Sequence, residues 1–434
     1  MAAPLWLSQL ELLVGPGQPL QRGDALIDAQ GRLQLWGEAA GQRAASLGLS
    51  PIPLPGCLLA PPLVDPHSAL EQPWGHGVET LDSLQRSAAA GGYGTVALLP
   101  WASPWRDRPE RLQGLRWPAP LQLHLWGSLS RDGAGDDLAP HADQLMAGAI
   151  GLAGGPDLPP LPLLERTLLL AEMGERPVLV APRSPELSTG GFVREGVDAL
   201  RAGWPTDPPL SEVLPLQGLL ALAAARPAAR LALMNLSTAA AVQQLRAWAG
   251  PGLRPAASVS WWHLLADSGH LDPTAEGWRL RPPLGNPSDR QALIDGLRDG
   301  LITAVAVHHL ALDPEEQLLP LDQRRPGLAG HGAPRGLVLP ALWQELVVRQ
   351  GFSPLQLWQA LCWGPAALLG LALPSLQADS TGWLLFDPAA EADWRPGQSL
   401  SAAANQPLLG QRLRGQVLAS GLTPSSAWQL PAQS

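Results

Sequence analysis

Between about residue 61 and residue 373, short apolar runs alternate with amphipathic stretches of helical length, a rhythm that restricts the chain to a parallel α/β architecture. Thr95-Val-Ala-Leu-Leu99, Leu121-Gln-Leu-His-Leu-Trp126, Pro177-Val-Leu-Val180, Arg230-Leu-Ala-Leu-Met234 and Ile302-Thr-Ala-Val-Ala-Val307 read as buried strands. Residues 79–90, 161–173, 238–248 and 289–298 carry helical periodicity between them. No Gly-rich dinucleotide fingerprint follows the first strand, so a closed barrel fits this length better than an open sheet.

The two ends have a different texture. Residues 1–60 read as short strands and turns, with a hairpin over Asp24–Trp36. After residue 373 strand-like text returns in Gly382-Trp-Leu-Leu-Phe-Asp387 and Leu413-Arg-Gly-Gln-Val-Leu418. The expected organisation is a barrel over 61–373 flanked by a small β domain assembled from 1–60 and 374–434.

Composition narrows the chemistry. With 46% hydrophobic and 15% charged residues, the 434-residue chain can bury a large core. A net charge of −9 argues against nucleic acid as a partner. All 29 basic residues are arginine, which excludes a Schiff base, a phosphate-loop lysine and a carboxylated lysine bridging two metals. Cys57 and Cys362 form no ligand pattern and read as buried thiols. The apolar stretch 214–236 is interrupted by Pro215, Arg226, Pro227 and Arg230, so no membrane span is expected. Met1-Ala-Ala-Pro-Leu-Trp-Leu-Ser8 lacks a basic segment before its apolar residues, and a cytoplasmic location is expected.

Four stretches point in one direction. They are Pro61-Pro-Leu-Val-Asp-Pro-His-Ser-Ala-Leu70 with Glu79-Thr-Leu-Asp-Ser83, Ala88–Pro100, Arg281–Ile302, and Asn405-Gln-Pro-Leu-Leu-Gly-Gln-Arg-Leu-Arg-Gly-Gln-Val417. Their order and spacing resemble the dihydroorotase branch of the cyclic amidohydrolases. The resemblance implies a metal-bearing (β/α)8 TIM-type barrel with a composite β domain. It also implies zinc-activated hydroxide and a carboxylate that shuttles the proton to the departing nitrogen.

Carried over residue by residue, the resemblance keeps the scaffold and loses the site. Of the two histidines that open the family's metal centre, the first is His67 and the second is Ala69. The arginine that grips the substrate carboxylate is Glu71, and the asparagine after the second strand is Trp101. The bridging ligand falls near residues 148–157, where Asp157 is the one carboxylate. Two further ligand histidines fall on Ala181 and Asn235, the catalytic aspartate on His308, and a substrate arginine on Gly285.

The expectation is therefore a dihydroorotase-like chain without zinc or catalysis, a pseudoenzyme serving as a structural or regulatory partner in pyrimidine biosynthesis. The resemblance implies aspartate carbamoyltransferase as the partner; another enzyme of that pathway or a further copy of the chain are alternatives. A competing reading keeps a hydrolase of cyclic amides with a metal site rebuilt from His67, His308 and Asp157. A third is a sensor for a neutral or cationic ligand, resting on Glu71. Trp101, Trp105, Trp261 and Trp262 are expected to plug the barrel mouth, offer a docking surface or fill volume left by a lost metal. His76, His141, His263, His270 and His331 are read as solvated, Asp65 either as orienting a ligand histidine, which the resemblance implies, or as stabilising its strand end, and Ser237-Thr238 as a helix cap.

Overall fold

The computed structural model describes residues 4–74, 77–170, 174–248, 250, 254–270 and 272–431. Eight parallel strand segments form the barrel: Leu63–Ser68, Tyr93–Leu98, Gln122–Leu125 continued by Gly127–Ser128, Leu152–Ala153, Pro177–Val180, Arg230–Leu233, Ala256–Ser260 and Ala304–Ala306. Each pairs in parallel with its successor. The ring closes through the chain just beyond the first and last strands, where His308 N–H donates to His67 O (3.1 Å) and Ala69 N–H to His309 O (2.7 Å).

Strands buried on both faces read as continuous apolar runs, and here successive residues divide between two cores. Val96, Leu98, Val178, Val180, Leu231 and Leu233 pack outward with the helices. Ala97, Leu99, Leu179, Ala181, Ala232 and Met234 point into the barrel. Half of these inward residues are alanine, and Trp126 fills volume beside them. Its fully buried indole donates to Pro66 O (2.9 Å). Gly151 makes the room: a Cβ there would lie 2.8 Å from the Trp126 ring and 2.3 Å from Pro177 O.

The first and last strands of the chain share one seven-stranded sheet. Leu384–Asp393 pairs antiparallel with both Leu58–Ala60 and Arg412–Ser420. Gln21–Ile27 and Leu33–Gly37 form the hairpin read from the sequence, with Leu26 opposite Leu35. A helix, Glu38–Ser46, stands where only strands and turns were expected. Its alanines carry helix propensity, and Ala40 and Ala44, one turn apart, bury against Leu26 and Trp6. Thr80 and Asn286 cap the helices Leu81–Ala90 and Pro287–Arg298. Thr238 accepts from Ala241 N–H at the start of Ala239–Trp248, the capping role expected of it. Of the amphipathic stretch 161–173, Leu161–Leu169 is helix and residues 171–173 lie outside the described part. Both cysteines are free and buried. Among the described residues, no helix is long and apolar enough to cross a membrane.

Truncating Trp126 opens a void inside the barrel. Trp126→Ala should cost about 3–5 kcal/mol and Trp126→Phe less. Urea unfolding checks this, the midpoint falling at constant slope.

Candidate functional site

The loops at the C-terminal ends of the barrel strands bring His67 and His308 together. His67 is fully buried. Its Nε2 lies 2.8 Å from Ser258 Oγ, and its Nδ1 lies 3.0 Å from His308 Nδ1. The two rings meet edge to face. His308 reaches this position because the backbone turns just past the last strand, with φ of 48°. A residue with a Cβ adopts that left-handed conformation at a cost of roughly 1 kcal/mol or more. Trp101 stands edge-on to the other side of His308 and donates its indole N–H to Gly154 O (3.0 Å).

A second left-handed residue, Asn235 (φ 53°), follows the sixth strand. Its backbone N–H donates to Ser258 Oγ (3.0 Å). Its side-chain oxygen is buried and has no hydrogen-bond partner among the described residues. Asn235 N–H, Ser258, His67 and His308 thus form one chain of hydrogen bonds. One proton lies between the two Nδ1 atoms, so the rings carry complementary tautomers. Burial drives the His67 pKa well below the usual histidine range, reinforced by the neighbouring His308. Burial likewise pushes His308 down to about 4. The pair is neutral at physiological pH.

The remaining positions singled out in the sequence are held elsewhere. Ala69 and Ala181 offer no donor atom. Asp157 is bridged by Arg183 and Arg281, each at 2.7 Å. Among the described residues no group of three His, Cys, Asp or Glu side chains is placed to hold a metal, so His67, His308 and Asp157 do not converge as a ligand set. Glu71 receives a two-pronged contact from Arg325 (2.8 and 3.2 Å), which also binds Glu316. The charge at Glu71 is answered from within the chain, which removes the support for a cationic ligand there. A Cβ on Gly285 would press into Asp289 at 2.5 Å. Asp289 is held in place because its Oδ1 accepts from Ala239 N–H and its Oδ2 from Asn286 N–H.

The ion pairs extend inward. Arg183 contacts Asp207 (3.1 Å), and Asp207 binds Arg194 (3.0 Å), both of the latter fully buried. Arg194 also donates to Ser237 Oγ (2.8 Å) and lies 4.0 Å from Glu212. Glu212 accepts from Ser237 N–H (2.8 Å) and Thr238 Oγ1 (2.5 Å). Burial raises the Glu212 pKa against the opposing pull of Arg194. This network escaped the sequence reading because its members are spread from residue 157 to residue 281. The only hint was charged residues set among apolar text.

What remains open at the mouth is a cavity of about 230 Å³, bordered by Trp101, Trp105, His263, Arg281, His308 and Arg325. Trp105 donates to Ser128 Oγ (2.8 Å). Trp261 lies in the core instead, fully buried, with Trp262 packed against it.

Several histidines expected in solvent are buried. His263 points Nε2 at Pro282 O and Pro283 O (3.1 and 3.3 Å). His141 lies 2.8 Å from Leu129 O. His331 sits 3.2 Å from Asp65 Oδ2. Each lies in loop-like text, and packing against the barrel ends is invisible to local pattern. His270 is exposed as expected, and His76 lies outside the described residues. Asp65 also accepts from Val307 N–H (3.0 Å) and Ser68 Oγ (2.5 Å), tying the first strand to the last. His309 turns away from His308 toward Glu79 (3.2 Å).

No family model matches the chain. A probable dihydroorotase-like protein of Synechocystis sp. is 34% identical over 404 residues, covering 85% of this chain and 89% of that protein. The chain belongs to the dihydroorotase-like family. The Staphylococcus epidermidis dihydroorotase is 26% identical over 378 residues, covering 86% and 88% of the two chains. Among solved structures, dihydropyrimidinase from Brevibacillus agri superposes with a TM-score of 0.76 at 18% identity, over 96% of this chain and 93% of its own. L-Hydantoinase from Arthrobacter aurescens gives 0.75 at 17%, over 97% and 94%. These likenesses carry the barrel fold.

Removing the Asp207 carboxylate strands Arg194. Asp207→Ala should cost about 3–5 kcal/mol, because the guanidinium stays buried without its nearest counter-charge. Chemical denaturation reads the loss. A second expectation concerns pH. Burial lowers His263 from 6.5 to about 4, so the unfolded chain binds an extra proton between those values. Stability is complete above pH 6.5 and declines as pH falls toward 4. Melting temperatures at pH 7.5 and 5.0 should differ in that sense, by less in His263→Gln.

Proposed function

We propose that this dihydroorotase-like chain has relinquished zinc-dependent hydrolysis and acts as a structural or regulatory partner in pyrimidine biosynthesis, with aspartate carbamoyltransferase as the enzyme it binds. The observation that carries the first part is the His67–His308 pair. Both nitrogens of the one retained family ligand are engaged, Nδ1 by a second imidazole and Nε2 by Ser258. A metal at His67 would have to break one of these contacts. It would then find alanine at 69 and 181, and a carboxylate at 157 already shared by two arginines. The donor set does not fit the family's zinc centre. The proton shuttle is equally compromised, because the imidazole in the aspartate position already has its Nδ1 engaged by His67.

The pairing with the carbamoyltransferase rests on the family resemblance. The alternative, a cyclic amide hydrolase with a rebuilt site, draws on the names of the relatives and on the cavity that His308 borders.

Elemental analysis of zinc-supplemented protein, paired with dihydroorotate and dihydrouracil hydrolysis assays, tests the loss of activity. Background zinc and no turnover are expected. One or more zinc ions per chain, lost in His67→Ala, together with turnover would establish the rebuilt hydrolase instead. Size-exclusion chromatography with the aspartate carbamoyltransferase of the same organism should give a shared peak; separate elution at micromolar concentrations would remove that partner.

A further inference from the structure

A large cavity shares no lining residue with the barrel mouth and belongs to no part of the reading above. It is a groove of about 1020 Å³ where the barrel helix Leu81–Ala90 faces the terminal sheet and residues 422–429. Its volume is at the upper end of the ~300–1,000 Å³ typical of small-molecule sites. Its walls are largely apolar, with Ala89, Trp394, Leu413, Val417 and Leu422 among them.

Five charged side chains border the groove. Four cancel in pairs, Asp82 with Arg86 (2.6 Å) and Asp393 with Arg395 (2.8 Å). Arg335 is different. Among the described residues it has no carboxylate partner, and neutral amides hold it: Nη1 donates to Gln416 Oε1 (2.6 Å) and Nη2 to Gln429 Oε1 (3.1 Å). Gln416 is itself buried, so the guanidinium is fixed in place with its charge unanswered. Trp394, 3% exposed, contributes to the apolar wall beside it.

An apolar groove with one unbalanced cation calls for an apolar body ended by an acceptor of single negative charge. A dianion such as phosphate would find no second free cation among the described lining residues. We propose that this groove binds a small amphipathic carboxylate, with Arg335 as the anion contact and the barrel–sheet junction as the apolar bed. The proposal is independent of whether the barrel mouth hydrolyses anything.

Isothermal titration of the full chain with decanoate tests it, with 1-decanol as the uncharged counterpart. Saturable one-to-one binding of decanoate is expected, at least tenfold tighter than that of decanol. Arg335→Gln should weaken decanoate at least tenfold, about 1.4 kcal/mol, while leaving the melting transition in place. Arg395→Gln, whose charge is already paired with Asp393, should leave affinity within about twofold, and so separates a specific contact from general surface charge. Absence of saturable decanoate binding, equal affinity for decanol, or an Arg335→Gln variant that binds as tightly as the parent would overturn the proposal.

Discussion

Closure of the barrel is the constraint on which everything else depends. The first and last strands are some 240 residues apart in sequence, yet His308 N–H binds His67 O and Ala69 N–H binds His309 O. Asp65 reinforces the seam through Val307 N–H, and Ser68 Oγ accepts from His309 N–H (2.8 Å). Once that seam forms, His67 and His308 have no choice but to meet. The mouth, the cavity beside it and the buried histidines all follow from the circular arrangement.

Most of the charged groups inside the mouth are paired with one another, while the Asn235 side-chain oxygen has no partner among the described residues. Buried charges are tolerated when paired and hydrogen-bonded, and a broken pair is costly. Asp157, Arg183, Asp207, Arg194 and Glu212 meet that condition in one continuous run. The His67–His308 pair meets it by staying neutral and sharing one proton. Side chains that could ligate a metal or shuttle a proton are spent on one another. That self-sufficiency, more than any single substitution, supports a noncatalytic role. Glu71 and Arg325 extend it to the rim.

The polar groups that lack partners are therefore informative. Among the described residues Arg335 keeps an unbalanced charge in a large apolar groove, at a junction where the chain's two ends share a sheet. The barrel mouth is where relatives direct attention, and the groove holds a charge without a carboxylate partner among the described residues.

The sequence by itself determined the architecture. Strand and helix periods, the Ser237-Thr238 cap, and apolar runs over 95–99 and 177–180 are local signals, and the strands and helices stand where those signals lie. It also determined which family positions carry alanine, asparagine or histidine. The short helix Glu38–Ser46 was missed because a few alanines in a turn-rich segment gain helical stability only from the core they meet. Only the tertiary structure decided that His67 spends both nitrogens, that Glu71 is neutralised by Arg325, and that His141, His263 and His331 are buried. Each of these is a contact between residues far apart in the chain. Pattern over a few residues reports propensity, whereas burial and charge pairing are set by what the closed barrel brings within a few ångströms.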